Sequence, residues 1–183
     1  MYNYEIDIKA SKKKQRLVIR ETWFEKVIDI QLIAIFCLTL ATIPTLLIYH
    51  AHVNNTSSND YHFAYFVALI AYPLLIYLLY KLPRLLSFRK LPGISPSVNR
   101  RIVKEFAKSQ ELTIKNDNND YFIGTSKITP FTWGSQITIL YDGNTILFNS
   151  ISFGLFGIKS PFSFGNNAMF LHHLKTLIKE KQG

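Results

Sequence analysis

The sequence predicts a membrane α+β protein: a two-helix transmembrane hairpin with a small antiparallel-sheet cytoplasmic domain flanked by helices. Three observations predict it. Two uncharged runs of membrane-spanning length lie close together in the first half of the 183-residue chain, short alternating segments divided by turn residues follow them, and a helical pattern closes the chain. With the apolar runs set aside, the remainder is one small domain.

Residues 1–26 are expected to form strands and a cytoplasmic lead-in. MYNYEIDIKA alternates Tyr2, Tyr4, Ile6 and Ile8 with Asn3, Glu5, Asp7 and Lys9, the period of a strand with one buried face. SKKKQ then reads as a turn, and RLVIRETW as a second strand running to Trp23 and Phe24 at the membrane boundary. A lone hairpin is marginal in water, so this one is expected to complete the sheet of the C-terminal domain.

Residues 27–80 form the predicted transmembrane hairpin, with spans at about 30–49 and 63–80 and an external loop at 50–62. Ile30 to Tyr49 holds eleven Leu, Ile or Phe and no charge, and Phe63 to Tyr80 holds ten of the Leu, Ile, Val and Phe set and no charge. At ~1.5 Å per residue both match a hydrocarbon core of ~30 Å. The mixed residues before the first run, several of them acidic, and the length of that run argue against a cleaved signal peptide. Seven Lys or Arg lie in residues 1–26, none from Ala51 to His62, and eight in residues 81–110, so both termini are expected in the cytoplasm and the loop outside. Ala34, Cys37, Ala41 and Thr45 on one helix and Ala64, Ala68 and Ala71 on the other are small residues suited to close packing. Tyr72 needs a hydroxyl partner inside the membrane, expected in Thr39 or Thr42, and Pro44 and Pro73 are expected to bend their helices.

Residues 81–96 read as a basic juxtamembrane linker, whose Leu82, Leu85, Leu86 and Phe88 alternate with Lys81, Arg84, Arg89 and Lys90 in a composition suited to an anionic interface. Residues 97–183 are the cytoplasmic α+β domain. Ser95 and Pro96 cap a helix whose apolar face is Val98, Ile102, Val103 and Phe106. Strands follow at Leu112 to Asn116, Tyr121 to Ile128, Gln136 to Tyr141 and Thr145 to Ser150, with NDNND and the Asp142-Gly143 turn between them. Met169, Phe170, Leu174, Leu177 and Ile178 carry the closing helix.

A strand pair, a transmembrane hairpin, several strands and a closing helix together resemble small two-span bacterial membrane proteins with a pleckstrin-homology-like, YcxB-like domain. The likeness is one of organisation over most of the chain, and the segments WGSQITILYDGNTILFNSIS and SPFSFGNN also look like those of two-span bacterial membrane proteins. It implies a scaffold and no particular ligand.

The net charge of +9 is assigned to topology and anionic lipid rather than to nucleic acid. The single cysteine, Cys37, excludes an intramolecular disulfide framework and a thiolate metal cluster. His50, His52, Asp60 and His62 are metal-capable side chains at the two ends of one loop, set against the plainer alternative of a solvated turn. His172 and His173 read as ordinary helix residues. Gly154, Gly157, Lys159 and Ser160 suggest a phosphate loop, which Ile158 before the lysine and Pro161 after the serine exclude. Arg84, Arg89, Lys90 and Phe156 are the candidate contacts with a lipid surface, with core packing the competing role for Phe153, Leu155 and Phe156. No acid/base, nucleophile or metal constellation stands out, so no catalysis, cofactor or metal is expected. The expected role is to tether a binding domain to the lipid bilayer, with a membrane-protein partner or homo-oligomer possible. The alternative is a subunit of a transporter or of a membrane defence or immunity complex.

Overall fold

The computed structural model describes residues 4–54, 58–128, 134–153, 159–160 and 166–183. In chain order the elements are α1 (Ile8–Lys14), α2 (Trp23–Val53), α3 (Ser58–Lys81), a 3-10 turn (Leu82–Arg84), β1 (Arg89–Pro92), α4 (Pro96–Ser109), β2 (Thr113–Asp117), β3 (Tyr121–Thr125), β4 (Ser135–Asp142), β5 (Thr145–Phe153), β6 (Lys159–Ser160) and α5 (Asn166–Glu180). They fall into two compact units, Glu21–Arg84 and the discontinuous pair Met1–Arg20 with Leu85–Gly183.

The first unit is a helical hairpin whose two helices are long and apolar enough to cross a membrane. Their most apolar windows are only 6% and 22% buried, whereas a helix from the core of a soluble domain would hide that surface. A capping box starts α2: Thr22 Oγ1 accepts from the Glu25 amide, and the Glu25 carboxylate accepts from the Thr22 amide. Ala64, Ala68 and Ala71 are buried along α3, and Cys37 and Ala41 are half-buried on α2, as the small-residue pattern predicts. Ala34 and Thr45, the two ends of the predicted stripe on α2, are exposed.

Tyr72 does find a threonine, but Thr45 (3.0 Å) rather than Thr39 or Thr42, which bond back to the Ile35 and Leu38 carbonyls. A long helical side chain leans toward its own N-terminus, here the loop end, and this carries the Tyr72 hydroxyl past the depth of its backbone. The expected loop 50–62 also shrinks, because helix continues to Val53 and resumes at Ser58.

The second unit is built on a six-stranded antiparallel sheet, ordered β1-β5-β4-β3-β2, with β6 pairing the far end of β5. The four strands from β2 to β5 form the expected meander. Asn118 Oδ1 accepts from the Asp120 and Tyr121 amides at one turn, and Gly143 takes a positive φ of 57° at the Asp-Gly turn. On one face, Ile102, Val103 and Phe106 of α4 and Leu174 and Ile178 of α5 pack with Phe122, Ile137, Ile139 and Ile146. Ser95 Oγ accepts from the Val98 amide and Pro96 opens α4, as the sequence pattern predicts.

The linker 81–96 is not merely a surface segment. Arg89–Pro92 pairs with Phe148–Thr145, and Leu91 is buried, because alternate residues of an edge strand face the core. Beyond it, the Gly93 amide donates to Asn144 O at 2.8 Å, so close that a Cβ on Gly93 would lie 2.4 Å from that carbonyl oxygen.

The N-terminal strands are replaced by a different structure. The extended pattern holds only around Ile6, which bridges Ile19. Asp7 then caps α1, its carboxylate accepting from the Ala10 amide. The segment IKASKKK contains strong helix formers and ends in three lysines, and these favour a helical turn over the period-two pattern. The N-terminus does join the sheet unit, but through the sheet face. Tyr4, Ile6, Leu17 and Ile19 pack with Ile123 and Ile151, and Leu17 N donates to Leu86 O at 2.7 Å. Tyr2 lies outside the described residues.

Candidate functional site

The candidate lipid contacts fall in different places. Arg84 ends the 3-10 turn with its guanidinium 3.7 Å from the Tyr80 ring centroid, and Lys81 lies 5.6 Å from that of Tyr77. Arg89 and Lys90 are exposed on β1, and as neighbours on a strand they point to opposite faces. Phe156 lies outside the described residues, as does Leu155, whereas Phe153 is in the core. Lys159 and Ser160 form β6 rather than a phosphate loop.

His50 and His52 occupy the last turn of α2, where residues two apart diverge by ~200°. His52 Nε2 is 3.5 Å from the Tyr65 hydroxyl, and its ring meets Tyr61 edge-on at 5.3 Å. Among the described residues, no three His, Cys, Asp or Glu side chains group as metal ligands.

Ser109 and His173 form a pair that sequence spacing does not suggest, with Oγ and Nε2 3.0 Å apart. Ser109 Oγ also lies 2.9 Å from Phe106 O, to which it can donate, and its contact with His173 joins α4 to α5. Between α4 and β2, Asp117 accepts from Lys104 at 3.2 Å and lies 3.6 Å from Arg100. The buried Tyr141 hydroxyl is pushed far above its ordinary value of 10, first by burial, then by the Asp117 charge, with Arg100 opposing. It stays a neutral phenol.

Among the described residues of the sheet unit, a cleft of 820 Å³ opens between the N-terminal segment and the β2–β3 hairpin. Ile6, Ile8 and Ile123 supply apolar wall, while Lys9, Lys13 and Lys115 supply ammonium groups. Tyr121 Oη accepts from Asn116 Nδ2 at 3.1 Å, leaving the phenol hydrogen for another acceptor. Sequence reading missed this cleft because its walls come from segments about a hundred residues apart. The only local trace is the i, i+4 pairing of Lys9 with Lys13, which becomes visible once α1 is read as a helix.

Two buried amides were also missed. Gln136 Oε1 accepts from the Tyr4 amide (2.7 Å) and its Nε2 donates to Tyr4 O (3.0 Å). Asn149 Nδ2 donates to Leu85 O and Ser87 O, each at 3.0 Å. Their sequence signal is an amide at alternate positions of strands that are otherwise largely apolar.

No family model matches this sequence, and no curated protein matches it either.

Proposed function

We propose that the chain is an integral protein of a bacterial inner membrane whose hairpin tethers a cytoplasmic binding and scaffold domain, without catalysis. The observation that carries this reading is the discontinuity of the sheet unit. Residues before and after the hairpin build one fold, which requires both ends of the hairpin to return to the same side of the bilayer. The basic residues flanking the spans, and their absence between them, favour the cytoplasm as that side.

Cysteine labelling of intact cells tests it. In a Cys37→Ala background, Asn54→Cys should react with a membrane-impermeant thiol reagent, while Gln15→Cys and Asp142→Cys should react only after lysis. Reaction at 15 and 142 but not 54 would invert the orientation, and unlike behaviour of 15 and 142 would overturn the tethered-domain reading.

A second reading, a subunit of a transporter or of a defence or immunity complex, draws support from an apolar groove of 720 Å³ on the hairpin. Ile48, Phe66, Leu69 and Tyr72 line it. A photo-crosslinker at Leu69, which is 71% exposed, would capture one defined partner helix under the subunit reading and lipid alone under the tether reading.

A further inference from the structure

We propose that the cleft between α1 and the β2–β3 hairpin binds a phosphate monoester carrying an apolar substituent. The proposal stands on the sheet unit alone and holds whether or not the hairpin crosses a membrane.

Charge is the first ground. Four cations line the cleft, Lys9, Lys13, Arg20 and Lys115, against two carboxylates, Glu5 and Asp7. Arg20 bonds Glu5 at 3.2 Å and lies 3.7 Å from Asp7, so the carboxylates are engaged with the arginine. Lys9, Lys13 and Lys115 have no carboxylate within ion-pair distance among the described residues, whereas the neighbouring Lys12 is paired with Asp120 at 2.8 Å. Lys9 and Lys13 stand one turn apart on α1, where like charges repel unless an anion lies between them. Two positive charges remain uncompensated in the lining, matching the charge of roughly −1.5 to −2 on a phosphate monoester near neutral pH.

Backbone geometry is the second and independent ground. Lys115 and Asn116 are neighbours on β2, and in a regular strand only one of them could face the cleft. Both line it, because the β2–β3 register shifts between Ile114 and Asn116 and leaves Lys115 as the extra residue of a bulge. Such bulges re-aim side chains. Here the bulge puts Lys115 on the same lining as the Asn116–Tyr121 pair, whose phenol has a hydrogen to donate to a phosphate oxygen. The isoleucines of the wall offer the contact for the substituent, and the volume lies within the ~300–1,000 Å³ of small-molecule pockets.

The test uses the full-length chain in non-ionic detergent, titrated calorimetrically with phenyl phosphate at low salt. Saturable binding is expected, stronger than for inorganic phosphate, with phenol alone inert. Lys115→Gln and the double variant Lys9→Gln/Lys13→Gln should each weaken it by about 3- to 10-fold or more, since each loses charge-assisted hydrogen bonds. Lys179→Gln, on α5, should not. All four lysines are exposed, so the variants keep the fold. Nanodiscs then separate the two sources of such a group. If phosphatidic acid in the disc competes with phenyl phosphate and Lys115→Gln abolishes the competition, the ligand is a lipid headgroup; unchanged affinity assigns a soluble ester. Absence of saturable binding, or equal affinity in wild type and the lysine variants, would overturn the proposal. A polyglutamate peptide that binds with the same lysine dependence while phenyl phosphate does not would replace it with an acidic protein segment.

Discussion

The two faces of the sheet are covered by different kinds of partner. On the α4/α5 face, apolar side chains meet apolar side chains: Phe106, Ile137, Ile139 and Leu174 are sealed from solvent, and both helices lie next to the strands in sequence. On the opposite face the cover comes from Tyr4 to Ile19 and Leu86 to Phe88, on either side of the long hairpin, and two amides hold it by bonding to backbone. Apolar area is non-directional and supplies stability, whereas a buried amide with fixed partners selects one position among many similar ones. The first face therefore holds the fold together. The second determines where the segments flanking the hairpin attach.

Truncation on the helical face should have the largest effect. Phe106 is fully buried and meets Phe170 edge to face at 6.4 Å, so Phe106→Ala should cost about 3–5 kcal/mol. Denaturation of the full chain in detergent should show the whole sheet unit weakened. A loss confined to residues 4–20 would contradict the division between the faces.

Gln136→Leu comes next. It keeps the side-chain bulk but removes the two hydrogen bonds between the Gln136 amide and the Tyr4 backbone, at a cost of about 1–3 kcal/mol. Hydrogen exchange should rise across residues 4–20 while α4 and α5 stay protected. Uniform deprotection of both faces would show that the amide clamp and the apolar core act as one unit.

The smallest effect belongs to Lys12 and Asp120, an exposed pair linking α1 to the β2–β3 turn. The hydrogen bond from Lys12, then its charge, holds the Asp120 carboxyl below its ordinary 3.8. Because the folded value is the lower one, the contribution is present above about 3.8 and disappears as pH falls through the folded value. Lys12→Gln should return the Asp120 midpoint, followed by carboxyl NMR, toward 3.8. An unchanged midpoint would remove this contact from the second face.

Legibility in the sequence divides along the same line. The first-face elements carry local signals: Ser95-Pro96 caps α4, Asp142-Gly143 turns β4 into β5, and Met169 to Ile178 repeat at helical spacing. The two apolar helices are legible for the same reason. On the second face, local signals conflict or are missing. Tyr4, Ile6 and Ile8 read as strand while Asp7 and the lysines after it read as a capped helix, and packing decides between them. β1 lies within a proline-containing stretch, and only pairing with β5, more than fifty residues later, reveals it. The cleft depends on a bulge at Lys115, and no residue type announces that bulge.

Time is also set by this architecture. Tyr4 waits for Gln136, 132 residues further along the chain. At about 5–20 residues per second of synthesis, that interval is on the order of 7–26 s. During it the ribosome has delivered the whole hairpin, and the isoleucines of the N-terminal segment have no sheet to cover them. A newborn chain must therefore commit its hairpin before its first twenty residues can find their place, and whatever shields that segment in the meantime acts before the domain exists.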